Sequence, residues 1–458
     1  MELKNTKTAS WLRSLVVGAD TLVPVQTGER VTAVNFDNAA TTPPFCAVID
    51  EINAFAPWYS SVHRGKGYKS ILTSEFYEQA RQIVKKFVGA AADDHVIFTK
   101  STTESINLLA AVLAPGDERA VVLSTDMEHL ANDLPWRRHF VTEYAGLDNF
   151  GRVSLDSLEN KLRQHRGSVK LVTVTGASNV TGYVNPVHAI ARLAHRYGAK
   201  ILVDGAQLVP HMPFAMNNGQ AAERIDFLAF SAHKMYAPFG SGVLIGRCRE
   251  LTQAEPLLWG GGAVGLVSHR FINWDDPPGR YEAGTPNVMG VAALVAAVRV
   301  LEAENLAAIH QYESRLIGAI IDGLASIRGI RLYSVADCEE RVSLVSFTLE
   351  GIGHGELAQA LAQEAGIAVR NGLFCAHPYV EKLLKINDQQ LQFLHTHAEA
   401  PVPGLVRVSL GLYNTMREAE LFLHTVRRIA GDPAYYGRKY REEVRDDRGC
   451  TSRQSDLC

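Results

Sequence analysis

Long apolar runs are missing from this chain. None reaches the roughly 18 residues that a membrane-spanning helix needs, so we expect no membrane partner. Cysteine is scarce, with six residues (46, 248, 338, 375, 450 and 458) and no Cys-x-x-Cys. That spacing argues against a disulfide framework and against a zinc site, so no metal is expected. Charge of one sign is also missing. The formal net charge is −3, which gives nucleic acid nothing to hold. Met1-Glu2-Leu3-Lys4-Asn5 leads into mixed polar sequence without an apolar core or a small-residue cleavage site. We therefore expect no signal peptide and a cytoplasmic location. Gly260-Gly261-Gly262 lacks the Gly-x-Gly-x-x-Gly spacing of a dinucleotide site.

What is present is 458 residues, 47% hydrophobic and 21% charged, which is enough for two domains. Near-continuous apolar segments recur at 96–99, 120–123, 169–174, 200–204 and 225–230. Helical patterns separate them, for example the stripe Ile106, Leu109, Ala110 and Leu113 after Ser101-x-x-Glu104. Repeated βα units of this kind predict a largely parallel, buried sheet. Beyond a long Ala/Val/Leu helix at 288–304, strands and helices mix differently, as in a smaller α+β domain. We divide the chain into an N-terminal segment 1–33 packing on the body or on a partner subunit, a large domain 34–300, a small domain 301–432 and a charged surface tail 433–458. Residues 271–280 and the stretch 380–404, with its His395-x-His397 read as solvated loop, look inserted.

One lysine stands where chemistry is expected. Lys234 follows the apolar run 225–230 and precedes Pro238-Phe239-Gly240-Ser241-Gly242. A second apolar strand ends in Asp204, with Gln207 three residues on. Ligands of open α/β sheets collect at such strand ends. A lysine and an aspartate there are the pair that pyridoxal phosphate (PLP) requires. Singly, each would be an ordinary surface lysine or helix cap. Val34 to Pro44 reads as a strand ending in small residues, where backbone can approach a ligand. Ser61-Val62-His63-Arg64-Gly65-Lys66-Gly67 is a basic, glycine-rich loop able to hold an anion.

The ordered motifs resemble one family. They are Thr102-Thr103-Glu104, Glu128-His129 with Asn132 and Pro135-Trp136, Ser178-Asn179-x-x-Gly182, Asp204-Gly205-Ala206-Gln207 and Ser231-x-His233-Lys234. Gly284-Thr285-Pro286, Arg370-x-Gly372-x-x-Cys375-Ala376-x-Pro378 and Arg407-x-Ser409 with Tyr413-Asn414 follow. Together they resemble the class V aminotransferase branch of fold-type I PLP enzymes, and within it the group II cysteine desulfurases and selenocysteine lyases. The resemblance runs over about residues 34–430. It implies an α/β large domain with a mostly parallel seven-stranded sheet, a smaller α+β C-terminal domain, and a homodimer.

The resemblance also implies roles. Lys234 would carry PLP as a Schiff base and move the substrate's α-proton. Asp204 would face the ring nitrogen, and His129 would stack on the ring. Asn179 and Gln207 would bond the O3′ region. Thr102, Thr103, Ser231 and His233 would hold the phosphate, with Thr285 reaching it from a second subunit. Arg407 would clamp the substrate carboxylate, with Arg370, Asn38, His63 and Arg64 also on the substrate side. Cys375 would take sulfur from a cysteine-type amino acid as a persulfide, leaving alanine, and pass it to an acceptor protein. C–S β-lysis, epimerisation and dehydration within the same branch remain open. The chain departs from the family in the apolar Leu373-Phe374 before Cys375, in Ser101, and in the long stretch between Cys375 and Arg407.

Overall fold

Strands that are apolar at almost every position need cover on both faces, and that is how the main sheet is built. The computed structural model describes residues 9–114, 119–247, 251–252, 254–333, 341–397, 400 and 402–446. The main sheet contains β1 (Asp94–Thr99), β2 (Val121–Thr125), β3 (Val141–Ala145), β4 (Val169–Thr175), β5 (Lys200–Asp204), β6 (Phe227–Ser231) and β7 (Gly242–Arg247). Their order is β1-β7-β6-β5-β4-β2-β3, seven strands of which only β7 runs antiparallel to its neighbours. Alternate residues enter two separate cores, as a period of two requires. Val121, Leu123, Ile201, Val203, Leu228 and Val243 join one. Val122, Leu202, Phe227, Ala229 and Leu244 join the other, with Ile106 and Leu109 of helix Thr102–Val112. Helices therefore cover both faces.

The C-terminal region has a four-stranded antiparallel sheet of β8 (Ile330–Leu332), β9 (Leu344–Leu349), β10 (Arg370–Gly372) and β11 (Leu405–Ser409), ordered β8-β9-β11-β10. Helices Leu306–Ala325, His354–Ala365 and Met416–Gly431 pack with it. The segment Val34–Asn35 pairs in parallel with Ile367–Ala368, and Asp37 bridges to Ser409. Residues 34–37 thus lie against the smaller sheet. At the N-terminus Arg13 pairs with Glu418 at 2.8 Å and donates to the Tyr413 carbonyl.

Two expectations are corrected. The charged stretch after Gly431 is not a bare surface tail, because Pro433–Asp446 is a helix. Tyr436 and Tyr440, one turn apart, are its apolar stripe; the Tyr440 ring is fully buried and its hydroxyl lies 2.6 Å from Glu364 and 2.9 Å from Gln26. Residues 447–458, with Cys450 and Cys458, lie outside the described residues, as do Cys248 and Cys338. His395 stands on a helix, Asp388–Thr396, capped reciprocally by Asn387 and Gln390, rather than on a loop. The stretch 380–404 is anchored to the large domain at its start. Its first helix, His377–Leu384, is fastened sideways by Tyr379 to the Gly151 carbonyl and by Lys382 to Asp126. Among the described residues no helix is long and apolar enough to cross a membrane.

Candidate active site

β6 ends at Ser231, and one tight turn, Ala232–Lys234, follows. The turn is stitched to the start of the chain. The His233 carbonyl accepts from Thr42 N at 2.9 Å, and Tyr236 N donates to Thr42 Oγ1 at 2.7 Å. Beside β6, β5 ends at Asp204, whose Oδ1 accepts from Ala206 N at 2.9 Å. Lys234 and Asp204 line one cavity of about 250 Å³ with Thr102, Thr103, His129, Asn179, Gln207, Ser231, His233, Arg370, Cys375 and Arg407.

The cavity's electrostatics suit a base and a neutral imidazole. Burial pulls the Lys234 amine down to about 8; Asp204 works against that fall and Arg407 adds to it. Burial, then Lys234 and Arg407, hold His129 down to about 4. Its Nδ1 accepts from Ala131 N at 3.0 Å, so the neutral ring carries its proton on Nε2. His233 is pulled to about 4 by burial and by Lys234. Burial raises the Asp204 carboxyl, against the Ala206 N–H and Lys234. Glu128, raised by burial to about 8, accepts from Thr125 Oγ1, Asn132 Nδ2 and Thr175 N. It ties the ends of β2 and β4 together beside His129.

Opposite Lys234 stands a cationic clamp. Arg407 on β11 is buried; Nη1 donates to the Asn179 carbonyl at 2.9 Å and Nη2 to Asp37 Oδ1 at 3.0 Å. Burial lowers it to about 10, with Asp37 restoring part, so it stays charged at neutral pH. Its Nε is buried and, among the described residues, has no hydrogen-bond partner, and Nη1 and Nη2 each have a second N–H beyond the bonds to Asn179 and Asp37. Arg370 on β10 is its direct cross-strand neighbour and pairs with Asp37 at 3.6 Å.

Cys375 is exposed on a turn, as its place between Gly372 and Pro378 suggests, but the geometry of that turn is not signalled by the sequence. Gly372, Phe374 and Cys375 all have left-handed backbone, at φ 102°, 51° and 53°. Such geometry costs on the order of 1–2 kcal/mol per non-glycine residue, so it must be held. Leu130 N donates to the Cys375 carbonyl at 2.7 Å, and Asn179 Nδ2 to the Phe374 carbonyl at 2.8 Å.

The donor set fits PLP. A lysine faces a carboxylate, and Ser231 Oγ meets Thr102 N and Thr102 Oγ1, each at 2.7 Å, at a helix start. One of the two hydroxyl protons is spent between them, which leaves the other for a phosphate.

The family model of aminotransferase class-V matches residues 34–422. The chain belongs to that family. A class-V relative, the probable cysteine desulfurase of Mycolicibacterium paratuberculosis, is 36% identical over 413 residues, 88% of this chain and 56% of that one. The chain thus spans little more than half the length of that first relative, and 65% of the probable cysteine desulfurase 1 of Mycobacterium leprae. The probable cysteine desulfurase of Halalkalibacterium halodurans is 34% identical, with 84% of this chain and 90% of that one covered. Among solved structures, the apo cysteine desulfurase of Thermococcus onnurineus NA1 superposes with a TM-score of 0.78 at 31% identity, over 87% of this chain and 95% of that one. The cysteine desulfurase CsdA of Escherichia coli gives 0.76 at 28%, over 92% and 98%.

Not every expected residue of this class-V chain reaches the cavity. The Asn38 side chain is buried away from it, donating to the Asn35 and Ser409 carbonyls and accepting from Tyr413. Its place is in tying the segment after Val34–Asn35 to the end of β11 and the turn that follows it. His63, Arg64 and Thr285 line a second cavity of about 550 Å³. There His63 is held by Glu78 and Arg64 by the Val264 carbonyl. The amides expected at O3′ each commit one N–H to backbone, Gln207 to Ala39 and Asn179 to Phe374. Asp37 and Phe374 were missed. Asp37 stood next to a singled-out asparagine, but its partners are over 300 residues away in sequence.

Proposed function

We propose that the chain is a PLP-dependent cysteine desulfurase. The observation that carries this is Cys375, an exposed thiol on a held left-handed turn, on the wall of the cavity that contains Lys234, Asp204 and Arg407. The names of the class-V relatives support it.

Lys234, Asp204, His129, Asn179, Gln207, Thr102, Thr103, Ser231 and His233 would hold PLP. When bound, PLP supplies an electron sink that labilises bonds at the α- and β-carbons of an amino acid. The chain supplies the rest. Arg407 binds the α-carboxylate and so aims the β-carbon toward Cys375. Lys234, whose amine is about half deprotonated near pH 8, takes and returns a proton at the α-carbon. The Cys375 thiolate forms a bond to the substrate sulfur as the carbon–sulfur bond breaks. The bonding pair stays with carbon, which is protonated to give alanine, and the sulfur remains as a persulfide. An acceptor protein would then collect it at the exposed Cys375. Selenocysteine, chemically similar at the β-carbon, is a second candidate substrate.

Thr285, His63 and Arg64 do not reach Lys234 of their own chain. A homodimer in which they complete the partner's site accounts for that separation. A thiol that must stay reduced between turnovers fits a cytoplasmic setting.

The test is product analysis with L-cysteine. Alanine and a Cys375 persulfide are expected, and Cys375→Ser should lose at least two orders of magnitude in alanine formation. Pyruvate with ammonia and sulfide would instead assign a β-lyase.

A further inference from the structure

We infer that Phe374 is a positioning residue of the carboxylate clamp, so that the cysteine loop itself sets how tightly an amino acid's carboxylate is held. This rests on the functional reading above. The guanidinium of Arg407 lies over the Phe374 ring, with its central carbon 4.9 Å from the centroid. Both side chains are buried, Arg407 at 3% exposure and Phe374 at 7%. A cation on an aromatic face is held more strongly when both are removed from water. The plane of the guanidinium is then set from three sides. The Asn179 carbonyl and Asp37 take one proton each from Nη1 and Nη2, and the ring fixes the face. Three N–H groups remain, one on each Nη and that of Nε, which has no hydrogen-bond partner among the described residues.

Phe374 can occupy that place only because its backbone is left-handed, and Asn179 fastens it there. Asn179 therefore holds both halves of the unit, the arginine through its carbonyl and the phenylalanine through its side-chain amide. Arg407 also carries a burial cost, which Asp37 offsets only in part. The aromatic face supplies a further compensation without competing for the in-plane N–H groups that a carboxylate needs. Leucine would fill similar space and offer no quadrupole, whereas tryptophan or tyrosine would keep one.

The experiment compares PLP-loaded wild type with Phe374→Leu and Phe374→Trp. Calorimetric dissociation constants are measured for L-alanine, which has a carboxylate, and for cysteamine, which has none. L-Alanine binding should weaken by about 3- to 30-fold in Phe374→Leu and by no more than about 2-fold in Phe374→Trp. Cysteamine binding should stay level in both. With L-cysteine as substrate, KM should rise in Phe374→Leu while kcat changes little. Wild-type affinity for L-alanine in Phe374→Leu would overturn the proposal. Equal weakening of cysteamine would overturn it too, because that would show a general packing role. Failure of wild type to bind L-alanine would remove the clamp and the proposal with it. Failure of the desulfurase reading shows separately, as the absence of alanine from L-cysteine.

Discussion

Ser231 Oγ accepts the amide N–H of Thr102 and shares a second hydrogen bond with its hydroxyl, both at 2.7 Å. The end of the lysine strand and the start of helix Thr102–Val112 are thereby joined before any ligand arrives. Ser231→Ala leaves a buried N–H without a partner, which costs about 1–3 kcal/mol. We expect that loss in urea denaturation of the apoprotein, and faster loss of PLP on dialysis. Unchanged stability and unchanged retention together would mean that the pair organises nothing.

The Lys234 amine, held down to about 8 by burial, makes a statement about rate. Only the neutral amine attacks an aldehyde. Stopped-flow capture of PLP by the apoprotein should therefore climb with pH to a midpoint near 8 and level off above it. A midpoint at the ordinary lysine value of 10.5 would contradict the burial. Asp204→Asn removes the carboxylate that favours the ammonium, so its midpoint should move lower.

Acid should unfold the protein through two imidazoles. His129 and His233 sit near 4 in the fold, against 6.5 when free. Between those values the unfolded chain binds protons that the folded chain refuses, so stability falls as pH drops from 6.5 toward 4. His129→Gln should flatten that slope by about one proton's worth. The measurement is urea stability at several pH values, and an unchanged slope would refute the assignment.

Arg407 satisfies two fixed acceptors and, in the role we propose, presents further N–H groups of the same planar fork to a carboxylate, a geometry that a lysine ammonium lacks. Arg407→Lys should raise KM for L-cysteine by about 10- to 100-fold, the worth of a charge-assisted hydrogen bond. A fall confined to kcat would show that the residue does not bind the carboxylate.

The C-terminal helix should matter for stability and not for chemistry. Tyr440→Ala empties a fully buried site and should cost about 3 kcal/mol. Tyr440→Phe should cost about 1 kcal/mol, the worth of the hydroxyl's bond. Both are read by thermal and urea unfolding, with kcat unchanged. Equal stability of all three proteins would mean that the helix contributes nothing to the fold.

Local order made most of the main sheet legible. Strands 169–174 and 225–230 announce themselves by apolar continuity, and Lys234 and Asp204 by standing where that continuity ends. Strand direction was not legible, because Gly242–Arg247 has the same apolar character as the strands beside it and yet runs antiparallel to both. The helix at 433–446 was missed because its stripe is made of tyrosines, which read equally as surface residues. The Arg407 clamp was half legible. Its arginine belonged to a motif, but Asp37 and the Phe374 face depend on contacts between distant segments and on a left-handed turn that no residue type in Leu373-Phe374-Cys375 signals. Asn38, His63 and Arg64 show the reverse. Their residue types suit a substrate, and their hydrogen bonds are spent elsewhere.

The stitching of Thr42 to the lysine turn has a temporal meaning. Thr42 holds the turn, while its near neighbours Asp37 and Ala39 hold Arg407 and Ser409. The pocket is thus closed by contacts between residues 37–42 and the strand 405–409, more than 360 residues later. Contacts so far apart in sequence form late. A nascent chain that has not yet made residues 405–409 has no complete pocket, so full-strength cofactor capture waits until that strand has emerged.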